Sequence, residues 1–290
     1  MENLAEAFLR LGREDFSLLR AIETGMRDYE WVPLSEISKF SGMPSRKAEH
    51  RLGLLFEQKL VSREILHYHG FQIDFNAYDL LALSDFAKRD QVKSIGEQIG
   101  VGKESVVYEA LGEIPLVIKF HRQGRTSFKH VRRLRDHLTD LPHLPWLYAA
   151  ALAARHEFQV MQKLSASVAV PRPVAISRHA LAMERVNGYP LNKITLTNPE
   201  DCLDMIAQEV AKAWRLGIIH ADLSEFNVMA NDEEIKIIDW PQSVERTHPH
   251  AEELLKRDLN NVLRFFARKY KLKTNLEQTL ALVKSQKEAG

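Results

Sequence analysis

The sequence predicts an α+β protein in two parts. A small module of helices and a hairpin fills residues 1–90, and a larger two-lobed domain runs from about residue 95 to the C-terminus, with a short linker around Asp90 to Ser94. Three observations carry this reading. Apolar residues near the N-terminus recur at helical spacing and then give way to two strand-like runs. A strand, a glycine turn and a second strand follow from Ile99 to Tyr108. Further on, Ile218-Ile219-His220-Ala221-Asp222-Leu223-Ser224-Glu225-Phe226-Asn227-Val228 is followed, twelve residues after its Asn, by Ile237-Ile238-Asp239-Trp240.

The first module is read in chain order. Leu4, Phe8 and Leu11, then Phe16, Leu19 and Ile22, mark helices over residues 1–30. Pro33 opens a short helix, Ser41-Gly42 supplies a turn, and a second helix begins at about Pro44 with Ala48, Leu52, Leu55 and Phe56 on its apolar face. Val61 to Tyr68 and Phe71 to Phe75 then read as strands turning at His69-Gly70. Helix, turn, helix and hairpin together make a winged helix. The second helix and the start of the hairpin carry Arg46, Lys47, Arg51, Lys59 and Arg63 against Glu49 and Glu57, a candidate nucleic-acid surface. The module as a whole has 12 Lys or Arg against 15 Asp or Glu, so a structural or protein-docking role stays open.

In the second part, the turn around Gly100 and Gly102 has the form of a flap that covers phosphates with its backbone N–H groups exposed. Lys119 lies on the apolar run Leu116-Val117-Ile118-Lys119-Phe120, a costly place for a cation unless it meets an anion. Lys119 to His137 contains seven Lys or Arg against Asp136 alone, which reads as a basic insertion or as a solvated helix from about Ser127 to Leu138. Thr126 and Ser127 are candidate autophosphorylation acceptors. Glu157, on an Ala- and Leu-rich helical stretch, is a candidate ionic anchor for Lys119.

Phosphoryl transfer asks the protein for positioning, charge and one acceptor for the attacking hydroxyl's proton. Asp222 is the candidate acceptor. Asn227 and Asp239 offer the hard oxygen donors that suit Mg²⁺, and His220 reads as a loop brace. Taken singly, Asp239 reads better as a turn cap and Asp222-Leu223-Ser224 as a helix start; the order of features is what points to ATP.

That order resembles the RIO family of atypical protein kinases over essentially the whole chain, through Gly102-Lys103-Glu104-Ser105, Leu223-Ser224-Glu225-Phe226-Asn227 and Ile238-Asp239-Trp240-Pro241-Gln242. The resemblance implies a truncated, two-lobed protein-kinase-like domain behind the winged helix, with lobes meeting near residue 184 and nucleotide between them. It implies that Lys119 binds phosphates with Glu157 as its partner, that Asp222 is the catalytic Asp, and that Asn227 and Asp239 hold Mg²⁺, with Mn²⁺ as a substitute. Asp239 is itself a candidate phosphate acceptor. Gly100, Gly102, Lys103, Glu104, Ser105 and Val107 would form the flap, with Ser105 touching phosphate, and Met183, Glu184 and Val186 the hinge facing adenine. The winged helix matches the family's second subfamily, which implies a precursor of the small ribosomal subunit and its RNA as partners.

The chain also departs from ordinary protein kinases. Ala221 stands where they have Arg, Trp240-Pro241 follows the metal-binding Asp, and the 51 residues after Asp239 hold no Ala-Pro-Glu. Leu254, Leu255, Leu259, Val262 and Phe266 predict a helix there, with another from about Asn275. No activation segment is expected, which favours ATP hydrolysis or autophosphorylation over phosphorylation of a protein in trans. Two alternatives remain at this level: an aminoglycoside- or choline-kinase type of small-molecule phosphotransferase, and a non-catalytic assembly module that uses ATP as a ligand. With 45% hydrophobic and 27% charged residues, one Cys, and no apolar run of about 20 residues, the expected class is globular and cytoplasmic, without disulfide or membrane span.

Overall fold

The computed structural model describes residues 4–65, 67–122, 145–231 and 233–285. The basic run beyond Arg122, with Thr126 and Ser127, lies outside the described residues. The chain divides into two compact units, residues 1–155 with 174–182 and residues 156–173 with 183–290.

The first unit opens with helices α1 (Leu4–Arg10) and α2 (Arg13–Gly25), which bury the apolar positions Leu4, Leu19 and Ile22. Helix α3 (Leu34–Ser41) starts after Pro33, whose φ of −62° suits a helix entry, and stops at Gly42, whose φ of 68° is the left-handed value that ends helices. Helix α4 (Ser45–Glu57) buries Ala48, Leu52 and Leu55 as expected. Phe56 does not join them: it is 40% exposed, with the Arg63 guanidinium 4.8 Å from its ring centre.

Strands β1 (Val32–Pro33), β2 (Val61–Ile65) and β3 (His69–Ile73) form an antiparallel sheet in the order β1-β3-β2, completing the winged helix. The hairpin turns earlier than the sequence reading places it. Ile65 pairs with His69, and Gly70 lies within β3 opposite both Glu64 and Pro33. A Cβ on Gly70 would sit 2.6 Å from the Trp31 Cβ, so glycine there lets β1 approach. Phe75 belongs not to a strand but to helix α5 (Phe75–Lys88), which sequence reading did not identify. Ser62 Oγ donates to the Asp74 carboxylate at the helix entry, 3.1 Å.

The same unit holds a five-stranded sheet of β4 (Ser94–Val101), β5 (Ser105–Leu111), β6 (Pro115–His121), β7 (Pro173–Ser177) and β8 (Ala180–Glu184), in the order β4-β5-β6-β8-β7. The winged helix and this sheet pack as one body, and the seam is α5, ten of whose residues are buried. Between β7 and β8, Arg178 donates to both Glu23 carboxylate oxygens of α2 (2.6 and 2.8 Å) and to Asp85 of α5 (2.6 Å). Nearby, Asp79 of α5 accepts from His179 Nε2 at 2.7 Å and from Arg122. Burial holds His179 down at a pKa of about 4, so the ring is neutral and stacked on Tyr78 at 4.5 Å. The linker at Asp90 to Ser94 is therefore a change of direction inside one compact unit.

The second unit takes the C-terminal part of helix α6 (Pro145–Leu164), then β9 (Tyr189–Pro190), α7 (Pro199–Arg215), β10 (Ile218–Ile219), β11 (Val228–Ala230), β12 (Ile235–Ile237), β13 (Val244–Glu245), α8 (Ala251–Tyr270) and α9 (Leu276–Ser285). Strands β12-β11-β9 make one small sheet and β10-β13 another. Helices α8 and α9 lie where the spacing predicts them, with Leu255, Leu259, Val262 and Phe266 buried. No described helix is long and apolar enough to cross a membrane.

Candidate active site

The short strands of the second unit place the predicted chemistry. Strand β10 ends at Ile219, and the next residues form the loop that returns to β11. His220 is buried, and its Nε2 donates to the Ile238 carbonyl at 2.9 Å; its ring lies 4.6 Å from that of Trp240. It braces the two loops against each other, as the sequence reading expects. Asp222 is exposed on the first loop. Asn227 is buried, and its amide nitrogen donates to the Asp222 carbonyl at 2.8 Å. That bond orients the amide and leaves Oδ1 without a hydrogen bond to another described residue. The Asn227 carbonyl accepts the Ile238 N–H at 2.9 Å, tying the Asn loop to the segment that carries Asp239.

Two residues of these loops hold strained backbone. Ala221 has φ 61° and Asp239 φ 71°, values that L-residues avoid. Each is held by its surroundings. The Ala221 and Leu223 N–H groups, on either side of Asp222, both donate to the carboxylate of Asp258 on α8, at 2.7 and 3.1 Å. Burial pushes the Asp258 carboxyl up to about 7 against the lowering effect of those two hydrogen bonds. Asp239 is followed by Trp240, whose N–H donates to Glu157 Oε1 at 3.0 Å and whose indole Nε1 donates to the Ile237 carbonyl at 3.0 Å. Glu157 is completely buried. Sequence reading missed Asp258 and this use of Glu157. The signal for Asp258 was present, since a carboxylate on the apolar stripe between Leu255 and Leu259 is as conspicuous as a lysine on an apolar strand.

Among the described residues, no group of three or more His, Cys, Asp or Glu is placed to hold a metal by itself. Two oxygen donors, Asn227 and Asp239, fit a Mg²⁺ that takes its remaining positions from phosphate and water.

Lys119 and the flap belong to the first unit, and Met183, Glu184 and Val186 to the second. Lys119 is only 5% exposed on β6, where it pairs with Val107 of β5. The flap is the β4–β5 hairpin, with Gly102 and Lys103 exposed at its tip and Gly100 opposite Val107. The Gly102 N–H closes the hairpin on the Ser105 carbonyl at 2.8 Å, so that amide is not offered to phosphate as the sequence reading expects of the flap. The Glu104 carbonyl accepts the Arg122 N–H. A Cβ at Gly100 or Gly102 would meet its nearest neighbours only at 3.6 and 3.5 Å. The hairpin itself tolerates a side chain at both positions. Of the residues expected at the hinge, Met183 is buried, and the Glu184 N–H donates to the Arg172 carbonyl at 2.9 Å, so that N–H is not offered to adenine. Val186 is half-buried in the loop beyond. On the winged helix, Arg51 makes a two-pronged contact with Asp15 (3.0 and 2.9 Å), and Lys47 and Arg51 both meet Glu14. Two of the cations assigned to a nucleic-acid surface are thereby committed to α2.

A family model described as the RIO domain matches residues 106–279, and one described as Rio2, N-terminal, matches residues 8–89. The RIO-type serine/threonine-protein kinase Rio2 of Methanocaldococcus jannaschii is 41% identical over 256 residues, covering 85% of this chain and 93% of its own. The serine/threonine-protein kinase rio2 of Schizosaccharomyces pombe is 34% identical over 290 residues, covering 98% of this chain and 84% of its own. The solved Rio2 kinase–ADP/Mg²⁺–phosphoaspartate complex from Chaetomium thermophilum superposes with a TM-score of 0.83 at 30% identity, over 97% of this chain and 89% of that one. These matches set the protein-kinase reading ahead of the small-molecule phosphotransferase and of the non-catalytic module. With both family models on the two expected parts of the sequence, the chain belongs to the RIO family of serine/threonine-protein kinases, in its Rio2 branch.

Proposed function

We propose that the chain binds ATP with Mg²⁺, transfers the γ-phosphoryl group to its own Asp239 and then to water, and uses this cycle on a precursor of the small ribosomal subunit. The observation that carries the reading is the pairing of an exposed Asp222 with an Asn227 whose amide nitrogen is already committed to the Asp222 carbonyl. An Asn fixed in this way presents a neutral oxygen to a cation, and Asp239 supplies the charge. The metal, with Mn²⁺ able to replace Mg²⁺, would neutralise the phosphate oxygens as charge develops on them.

The steps balance. A carboxylate oxygen of Asp239 attacks the γ-phosphorus while the bond to the β,γ-bridging oxygen breaks and ADP leaves. Water then adds to the same phosphorus, Asp222 takes its proton, the bond to the Asp239 oxygen breaks, and inorganic phosphate departs. Lys119 neutralises the α- and β-phosphates, and Ser105 contacts phosphate from the flap. The glycines at 100 and 102 permit that approach, and Lys103, Glu104 and Val107 shape the flap around it. The Glu184 carbonyl and the Val186 N–H serve adenine, beside Met183. The phosphoaspartate named for the Chaetomium thermophilum protein supports Asp239 as the acceptor.

Small-subunit maturation in the cytoplasm is supported by membership of the Rio2 branch and by the positive run from Lys119 to His137. Because Lys47 and Arg51 are engaged within the winged helix, the run is the better electrostatic contact for RNA. Co-sedimentation with small-subunit precursors, with and without ATP and at several salt concentrations, tests this. Arg132, Arg133 and Arg135 changed together to Ala should flatten the slope of log affinity against log salt by about 2 to 3, at roughly 0.7 to 0.9 per phosphate contact. No association, or an unchanged slope with phosphate release intact, counts against the RNA assignment.

A further inference from the structure

A cavity of about 890 Å³ opens within the first unit, where α2, β3, α5, the start of α6 and β7 meet. Its lining includes none of Lys119, Asp222, Asn227 or Asp239. Its size falls in the range of small-molecule sites, roughly 300 to 1,000 Å³.

The charge around it is uneven. Arg27, Arg89, Arg155 and Arg178 line the cavity together with Glu23 and Asp85. Arg178 answers both carboxylates, and Asp85 has a second partner in Arg20 at 3.2 Å. The side chains of Arg27, Arg89 and Arg155 make no hydrogen bond or ion pair with another described residue, and all three are exposed. They are therefore surplus positive charge converging on one concave space from the turn after α2, the turn after α5 and helix α6. A guanidinium is weakly hydrated and presents paired N–H groups that match phosphate oxygens.

A second, independent feature points into the same space. Tyr78 is 8% exposed and lines the cavity, and its hydroxyl has no hydrogen bond to another described residue. The ring is buried, while the hydroxyl stays accessible from the cavity, where water or a ligand can accept its hydrogen bond. Burial, and Glu23 nearby, push its ionisation well up, so the hydroxyl stays a donor. Met26, Leu147 and Ile176 give the floor apolar surface, and Tyr148 adds a ring at the wall.

We propose that this cavity binds a phosphate monoester carrying a planar ring or a short apolar body, with Arg27, Arg89 and Arg155 on the phosphate and the Tyr78 hydroxyl donating to the ligand. The phosphate could belong to a free metabolite or to the 5′ end of an RNA. Because the site joins the winged helix to the sheet that carries Lys119, an occupant would stiffen that seam.

Phenyl phosphate is the probe, titrated by calorimetry into the full chain with Mg²⁺ and a saturating non-hydrolysable ATP analogue, so that the nucleotide site is filled. Saturable binding is expected, with phenol not binding. The triple change Arg27→Ala, Arg89→Ala, Arg155→Ala should weaken it by at least about tenfold and Tyr78→Phe by about threefold, the scale of charge-assisted and neutral hydrogen bonds. The three arginines are exposed and unbonded, so the triple variant should keep its unfolding midpoint and phosphate release. Single-stranded oligonucleotides with a 5′-phosphate or a 5′-hydroxyl distinguish the sources. A preference for the 5′-phosphate that the triple variant loses assigns the site to RNA ends, whereas phenyl phosphate binding without that preference assigns it to a metabolite. No saturable binding at millimolar probe, equal affinity in the triple variant, or binding abolished by the ATP analogue overturns the proposal.

Discussion

Ala221 and Asp239 hold left-handed backbone that costs a non-glycine residue about 1 to 3 kcal/mol. Asp258 opposes this cost at Ala221 by accepting the N–H groups that flank Asp222. Its folded pKa of about 7 lies above the unfolded value of 3.8, so the folded chain binds more protons between those limits. The stability contributed by this group is therefore fully present below about pH 4 and is lost as pH rises through about 7. Urea unfolding of wild type and Asp258→Asn across that window should show the wild-type advantage shrinking with rising pH, by up to about 4 kcal/mol. A difference flat with pH contradicts the assignment. At this scale Asp222, Asn227 and Asp239 stand out as candidates because phosphoryl-transfer chemistry constrains residue type and spacing. The charge of Asp258 on the apolar stripe of α8 was visible too, but not its partners, since the backbone it holds comes near only once α8 has packed.

The same limit appears among the elements. Helices α4 and α8 follow from periodicity, because each has one apolar face and one wet face, whereas the flap was read from its glycine turn and β6 from its apolar run. Helix α5 was missed for the opposite reason: with ten buried residues it is apolar nearly all round, and no stripe remains to read. The wing's turn was placed at His69-Gly70 because glycine ordinarily marks a turn, whereas Gly70 here makes room for β1 beside Trp31. What locks α5 and α2 to the β7–β8 turn is Arg178, whose side chain is 14% exposed. Arg178→Ala should lower stability by about 2 to 3 kcal/mol, chiefly by leaving Glu23 and Asp85 short of a counter-charge in a partly buried place. Arg178→Lys should recover little, because an ammonium on a flexible stem cannot reproduce the paired contact to Glu23. Thermal and urea unfolding measure both; wild-type stability in Arg178→Ala would show that α5 packing alone holds the seam.

Over the whole chain, chemistry that reads as one ordered list in the sequence is built on two separately packed units, with Lys119 and the flap in the first and Asp222, Asn227, Asp239 and Glu157 in the second. Packing each unit is a matter of apolar burial, which the sequence reports poorly at the α5 seam and well in α8. The central claim is narrower: Asp239 takes the phosphoryl group and Asp222 helps water remove it. The direct measurement is a short incubation with Mg²⁺ and ATP labelled at the γ-phosphate, followed by denaturation and a split of the protein into hydroxylamine and buffer controls. An acyl phosphate on Asp239 predicts label on wild type that hydroxylamine removes, no such label on Asp239→Asn, and label that persists about 10²-fold longer on Asp222→Asn, the scale of lost general-base assistance. Hydroxylamine-resistant label, wild-type labelling of Asp239→Asn, or wild-type phosphate release by both variants would contradict it.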